Sequence, residues 1–308
     1  METIDDGAPR VKVGIILPIA EEDGVDGIPS YGAIRDVAVA AEAAGLDSIW
    51  VYDHLLFRFD GKTTGIHECW TILAAIAAVT ERVELGTLVM CTGFRNPALL
   101  AKMAATLDHI SGGRLTLGIG AGWHDPEYEA FGYPTDHRVS RFEESLAVIA
   151  GLIRDGRADL DGRFVTARDV VLRPPARPDM PILIASKRPR MLELTARHAD
   201  ANNFCWFGLP DERLAGLRDE LAEACRRVGR DPATLTQTVG VIVRYPDAAP
   251  ADAETQDGPC LTGTPSEVAA GLRAHATAGA DHLIAVLEPC TTATVAEFSA
   301  AVELFRAG

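Results

Sequence analysis

The feature that most constrains this chain is a repeated alternation of short continuous apolar runs with longer helix-patterned stretches. The runs VKVGIIL (11–17), DSIWV (47–51), ELGTLVM (84–90), RLTLGIGAG (114–122), PILIA (181–185), ADANNF (199–204), TLTQTVGVIVR (234–244) and DHLIAVL (281–287) are the candidate strands. Runs apolar at successive positions, rather than alternating, belong to strands buried on both faces, as in a parallel sheet covered by helices. Eight strand–helix units in 308 residues favour closure into a (β/α)8 TIM barrel, which typically takes about 250 residues. An open doubly wound sheet is the alternative. It would want a GxGxxG turn after the first strand, and none is there.

The stretch 84–123 is the most fully marked. Its first strand leads through Cys91, Thr92 and Gly93 to Asn96 and Pro97, an N-cap followed by proline at the first helical position. Leu99, Met103, Leu107 and Ile110 then read as one apolar stripe, and Gly112 and Gly113 as a left-handed stop. In the next strand Leu115, Leu117 and Ile119 point one way while Thr116, Gly118 and Gly120 point the other. That second face carries almost no side chain. The glycines either relieve crowding inside a barrel or let a flat ring approach the backbone.

The other connections are read more coarsely. Residues 55–67 and 123–136 are loops, 160–173 a small hairpin inserted at the rim, and 245–263 an irregular excursion within a single 1–308 barrel domain. Hydrophobic residues make up 47% of the chain, ample for a large core, yet no apolar run approaches the ~20 residues needed to span a bilayer. METIDDGAPR at the start has neither the basic end nor the apolar middle of a signal peptide. A cytoplasmic enzyme with no membrane partner is expected. The six cysteines lack CxxC spacing and read as free thiols. A net charge of −15 repels phosphate backbones and argues against nucleic acid as a partner.

In a barrel the functional groups collect where strands end. Asp53 and His54 after the second strand are the best acid–base candidates, since an imidazole titrates near neutrality and an adjacent carboxylate can orient it. A loop histidine capped by its neighbour would look the same. A metal site from His54, His67 and His124 lacks any ligand-spacing motif, so no metal is expected. Ser186, Lys187, Arg188 and Arg190 place three cations at a helix start in an acidic chain, a natural seat for phosphate. Trp123 and Trp206 at strand ends, with Phe57 in the loop after the second strand, are candidates for the wall of a substrate pocket; Trp70 on a helix reads as core.

The segments DSIWVYDHL (47–55), TERVELGTLVM (80–90), RNPALLAKMAATLDHISGGRLTLGIGAGW (95–123), EYEAFGYP (127–134), RFEESLAVI (141–149) and PRMLELTARHADANN (189–203) together resemble the bacterial-luciferase-like family of flavin- and deazaflavin-dependent oxidoreductases. The resemblance implies a barrel, usually a homodimer, that binds the deazaflavin coenzyme F-420 or reduced FMN at its C-terminal mouth and acts on a small organic molecule. By resemblance, Asp53 and His54 face the reactive edge of the ring, Leu88 and Val89 form a bulge behind it, commonly with a non-proline cis peptide, and Gly120, Ala121 and Gly122 line the ring and its polar chain. Ser186, Lys187, Arg188 and Arg190 match the phosphate loop, though that loop is often glycine-rich in the family. Trp123 stands where several sugar-phosphate dehydrogenases of the family have glutamate, which argues against a sugar-phosphate substrate. Deazaflavin-dependent hydride transfer is the expected activity, on Asp53, His54 and the cationic turn. An FMN monooxygenase, a non-catalytic flavin-binding protein and a metal-dependent hydrolase are the alternatives.

Overall fold

The computed structural model describes residues 10–21, 27–249 and 258–308. Eight strands form its centre: β1 (Lys12–Ile16), β2 (Ser48–Val51), β3 (Glu84–Thr87), β4 (Leu115–Gly120), β5 (Ile182–Ala185), β6 (Ala201–Phe207), β7 (Thr236–Arg244) and β8 (His282–Glu288). Each pairs in parallel with its neighbours in sequence order. The ring closes where β8 meets β1, from Lys12↔His282 to Ile15↔Ala285, and β4 meets β5, from Ile182↔Leu117 to Ile184↔Ile119. The sheet is therefore a closed (β/α)8 barrel, and the open alternative is excluded.

Around it lie α1 (Tyr31–Ala43), α2 (Cys69–Ala77), α3 (Pro97–Ile110), α4 (Arg138–Asp155), α5 (Pro189–His198), α6 (Glu212–Arg227), α7 (Pro265–Thr277) and α8 (Thr292–Ala307). Ile15, Ile49, Leu85, Leu117, Ile184, Val239 and Leu283 face outward into the helix layer. Ile16, Trp50, Leu88, Leu183, Ala201 and Ile284 fill the interior, with Tyr52, Val89, Trp206 and Val286 packed against them. That plug gives the mouth an apolar floor. Deep in the same interior, Trp50 Nε1 donates to Ser48 Oγ at 2.7 Å, and Ser48 Oγ lies 2.7 Å from His282 Nε2. Burial, with help from the charge of Lys12, pushes the His282 pKa down to about 3.

Several local expectations need correction. Residues 55–67 are not a loop but an antiparallel hairpin, Leu56–Phe59 with Lys62–Gly65. The 123–136 loop contains a short helix, Asp125–Phe131, started by Pro126. The expected strand 84–90 is interrupted by a cis peptide at Leu88-Val89, after which Met90 and Cys91 pair with β4 again. The rim hairpin begins earlier than 160, pairing Arg157–Asp161 with Thr166–Val171. On α3 the predicted stripe is wrong for two of its four members: Leu99 and Ile110 are exposed, while Leu100, Ala101, Ala104 and Ala105 face the barrel. Small alanines let this helix pack closely, so its largest apolar residues need not mark the buried face. Of the other stretches singled out, residues 1–9 and 250–257 lie outside the described residues.

All six cysteines are free thiols. Among the described residues no helix is long and apolar enough to cross a membrane.

Candidate active site

At the end of β2 the chain leaves the barrel at Asp53 and His54, and their side chains part. Asp53 is 4% exposed and turns into the protein. Its carboxylate accepts from Cys91 N at 2.8 Å and from both terminal nitrogens of Arg95, Nη2 at 3.0 Å, with the Cys69 thiol at 3.4 Å. Arg95 Nη2 also donates to Glu68 at 2.6 Å, and Glu68 caps α2 by accepting from Trp70 N and Thr71 N. Asp53 thus ties the ends of β2 and β3 to the starts of α2 and α3. It does not orient His54, as the sequence reading had it. Asp53, Glu68 and Cys69 are close enough to hold a metal ion, but the Arg95 guanidinium already donates to both carboxylates. His67 lies apart from His54, bonded to the Pro29 carbonyl at 2.8 Å.

The carboxylate that meets His54 is Glu127, on the short helix after β4. Glu127 is 1% exposed. Its Oε1 lies 3.0 Å from His54 Nδ1 and its Oε2 accepts from Leu55 N at 2.9 Å. A carboxylate has no proton to give, so Nδ1–H donates to Glu127 and Nε2 is the nitrogen left for chemistry. His124, the N-cap of the same short helix, has its pKa lowered by burial, and its Nε2 accepts from Arg58 N at 3.0 Å, pinning the 56–65 hairpin.

That hairpin brings aromatic rings over His54. Phe57 lies 4.4 Å and Trp123 5.4 Å from the imidazole centroid, and Phe59 stacks beside Trp123 with ring centroids 6.3 Å apart. Phe57 and Trp123 therefore do lie together beside His54. Trp206 lies elsewhere, at the end of β6 after a second cis peptide, packed on the barrel plug.

The remaining candidates surround the same mouth. Val89 follows the cis peptide and sits over β4: a Cβ on Gly120 would come within 2.6 Å of Val89 Cγ2. The bare face of β4 is thus filled from inside the protein, and a ring above it would touch Val89 rather than Gly120. Gly122, at φ 75°, would likewise press a Cβ into the Tyr128 hydroxyl, which donates to Ala121 O at 2.9 Å. At both glycines a side chain would collide with neighbours already packed there.

After β5, Ser186 is buried and bonded to Thr195 Oγ1 at 2.9 Å inside α5. Lys187 donates to Cys205 O and Arg190 pairs with Glu143 and with Ser140 at 3.1 Å. Helix α5 has Arg188 at its N-cap with no side-chain cap and Pro189 next. The helix start is exposed at Arg188, Pro189 and Arg190, and an uncapped helix N-terminus beside Lys187, Arg188 and Arg190 fits an anionic cofactor tail. The apolar floor with Val89 fits the flat ring of a flavin or deazaflavin.

Glu127 and Phe59 were missed as individual residues. Pro126 before Glu127 signals a helix start, and Asp60 and Gly61, both at positive φ (48° and 80°), are the Asp-Gly pair that marks a two-residue hairpin turn.

The sequence matches the family model described as luciferase-like monooxygenase over residues 11–253. Pyrimidine monooxygenase RutA of Methylorubrum extorquens is 34% identical over 241 residues, covering 72% of this chain and 64% of that protein. The phthiodiolone/phenolphthiodiolone dimycocerosates ketoreductase of Mycobacterium sp. strain JLS is 36% identical over 244 residues, covering 71% of this chain and 64% of that one. In both cases the matched part spans a little under two thirds of the relative. Among solved structures, an F420-dependent secondary alcohol dehydrogenase in complex with an F420-acetone adduct superposes with a TM-score of 0.78 at 17% identity, over 96% of this chain and 99% of that one. At that identity the likeness is one of fold.

Proposed function

We propose, from the premise that the chain belongs to the luciferase-like monooxygenase family, that it is a deazaflavin-dependent oxidoreductase exchanging a hydride with a small organic substrate. The observation that carries this reading is the His54–Glu127 hydrogen bond at the barrel mouth. Hydride transfer to a carbonyl carbon leaves an alkoxide that needs one proton, and the reverse reaction needs one removed.

Coenzyme F-420, when bound, supplies or accepts the hydride. Val89, Leu88 and the barrel floor would back its ring, and Lys187, Arg188, Arg190 and the α5 N-terminus would hold its anionic tail. His54 Nε2 gives its proton to the substrate oxygen in reduction and takes it back in oxidation. Glu127 holds the imidazole by Nδ1 and fixes which ring nitrogen faces the mouth. Asp53 enters as a positioning residue, through Arg95 and Cys91. Phe57 and Trp123 shield His54 from water.

A second reading has support of its own: the relatives named pyrimidine monooxygenase RutA at 31–34% identity favour oxygen insertion with reduced FMN. Titrating the purified chain with oxidised and reduced FMN and F-420 separates the two. Tighter binding of FMN than of F-420 would overturn the deazaflavin assignment. With the preferred cofactor, Glu127→Gln should cut kcat by ~100-fold or more with a smaller change in KM; an unchanged kcat would remove the acid–base role. A homodimer in the cytoplasm completes the proposal, and exposed Leu99 and Ile110 on α3 offer an apolar surface for it, to be checked by sedimentation.

A further inference from the structure

We propose that the substrate carries a flat aromatic ring, which lies on the ring face of Phe59 and Trp123 beside His54; this rests on the reading of the mouth as a cofactor-dependent redox site. Phe59 is 53% and Trp123 58% exposed, a large area of aromatic carbon to leave in water on a rim beside a candidate catalytic group. The rings are not randomly disposed. Phe57, Phe59 and Trp123 share nearly one orientation, with interplanar angles of 27° between Phe57 and Phe59, 23° between Phe59 and Trp123 and 32° between Phe57 and Trp123, and centroids 5.9–6.5 Å apart.

Aligned faces of this kind suit a planar guest. An aliphatic chain would gain from burial on any apolar wall, whereas offset stacking adds attraction only when the guest has a π-face. The surface is also built. Arg58 N donates to His124 Nε2 at 3.0 Å and Arg58 Nε to Thr63 Oγ1 at 3.2 Å, so the two phenylalanines are held on a braced hairpin. With Phe57 4.4 Å and Trp123 5.4 Å from the imidazole centroid, a ring stacked there places a polar substituent within reach of His54.

The cofactor's own ring is the competing occupant. The cationic tail seat follows β5, and the aromatic face is assembled from the hairpin after β2 and from Trp123 after β4. Val89, after β3, packs on the apolar barrel plug, whereas Phe59 and Trp123 stand out in solvent at the rim. The cofactor ring belongs at Val89 and the substrate ring beyond it.

A matched pair of probes tests this by calorimetric titration of the full chain: 2-naphthol and decahydro-2-naphthol, which share a hydroxyl and a carbon skeleton and differ in the π-face. The aromatic probe should bind about 10-fold more tightly, with or without FMN or F-420 present. The preference should shrink to about 2-fold in Phe59→Leu and Trp123→Leu, exposed positions where leucine keeps the apolar character, while cofactor affinity stays unchanged. Equal affinities, no binding of 2-naphthol, a preference that survives both substitutions, or displacement of the cofactor by 2-naphthol would each overturn the inference. Failure of both cofactors to bind the parent chain would instead overturn the functional proposal, and is read independently of the probes.

Discussion

Replacing Asp53 by asparagine takes one negative charge out of a buried junction and leaves Arg95 facing an amide. The Arg95 side chain is 12% exposed. Burial alone would lower its pKa, and the charge and hydrogen bonds of Asp53, together with Cys69 and Glu68, outweigh that, so the net direction is upward. The two charges therefore stabilise each other in the fold. An asparagine can accept from Cys91 N or from Arg95, but its own N–H2 must then face another donor. Removing one partner of a buried pair costs about 3–5 kcal/mol. Glu68, still 2.6 Å from the same guanidinium and 42% exposed, keeps part of the compensation, which puts the loss near the lower figure, about 3 kcal/mol. With an unfolding entropy of ~2.1 cal/mol/K per residue, a chain of this size loses about 5 °C of midpoint for that energy. Differential scanning calorimetry of Asp53→Asn beside Glu68→Gln measures it. The exposed Glu68 pair should be worth less than ~1 kcal/mol. If the two variants melted together, or Asp53→Asn melted with the parent, Asp53 would not be the tie described above. At temperatures well below either midpoint, Asp53→Asn should retain more turnover than Glu127→Gln.

Acid should loosen the barrel through His282. Its folded pKa of about 3 lies below that of an unfolded histidine, so its contribution is whole above pH ~6.5 and is lost as pH falls toward 3, by at most ~1.4 kcal/mol per pH unit. Urea unfolding at pH 7 and 4.5 should show a smaller loss for His282→Gln than for the parent, and equal losses would count against it. Gly120→Ala, whose Cβ must displace the stiff Val89 side chain, should cost ~1–3 kcal/mol and weaken cofactor binding; calorimetry and titration read the two effects, and unchanged values would mean that Val89 moves freely. Lys187→Ala with Arg188→Ala should weaken the cofactor in a salt-dependent way, and a salt-independent affinity would reduce these residues to ordinary surface cations.

The barrel was legible because its strands are apolar at nearly every position, a pattern that few environments other than a covered parallel sheet allow. The start of α3 followed from Asn96 and Pro97, where the Asn96 side chain accepts from Ala98 N and Leu99 N. The 56–65 hairpin was not legible from its apolar pattern, because LFRF and KTTG are half exposed on both faces and too short to show a period. Only the Asp60–Gly61 turn marked it. Glu127 was hidden for a different reason. Its partner His54 is 73 residues away, and no local pattern distinguishes an acid that turns inward from one that faces water. Asp53 drew the role instead because it adjoins His54 in sequence, where consecutive residues leaving a strand point apart.

The 56–65 hairpin shares no ladder with the barrel. It is fastened by the Ala20↔Ile66 bridge, by Gly65 N on Glu21 and by Arg58 N on His124, while His54 and Glu127 are anchored independently of it. About ten residues could thus be exchanged as a cassette while the closed ring and its proton-handling couple stay as they are. A lineage built on this scaffold can change what it recognises faster than it changes what it does.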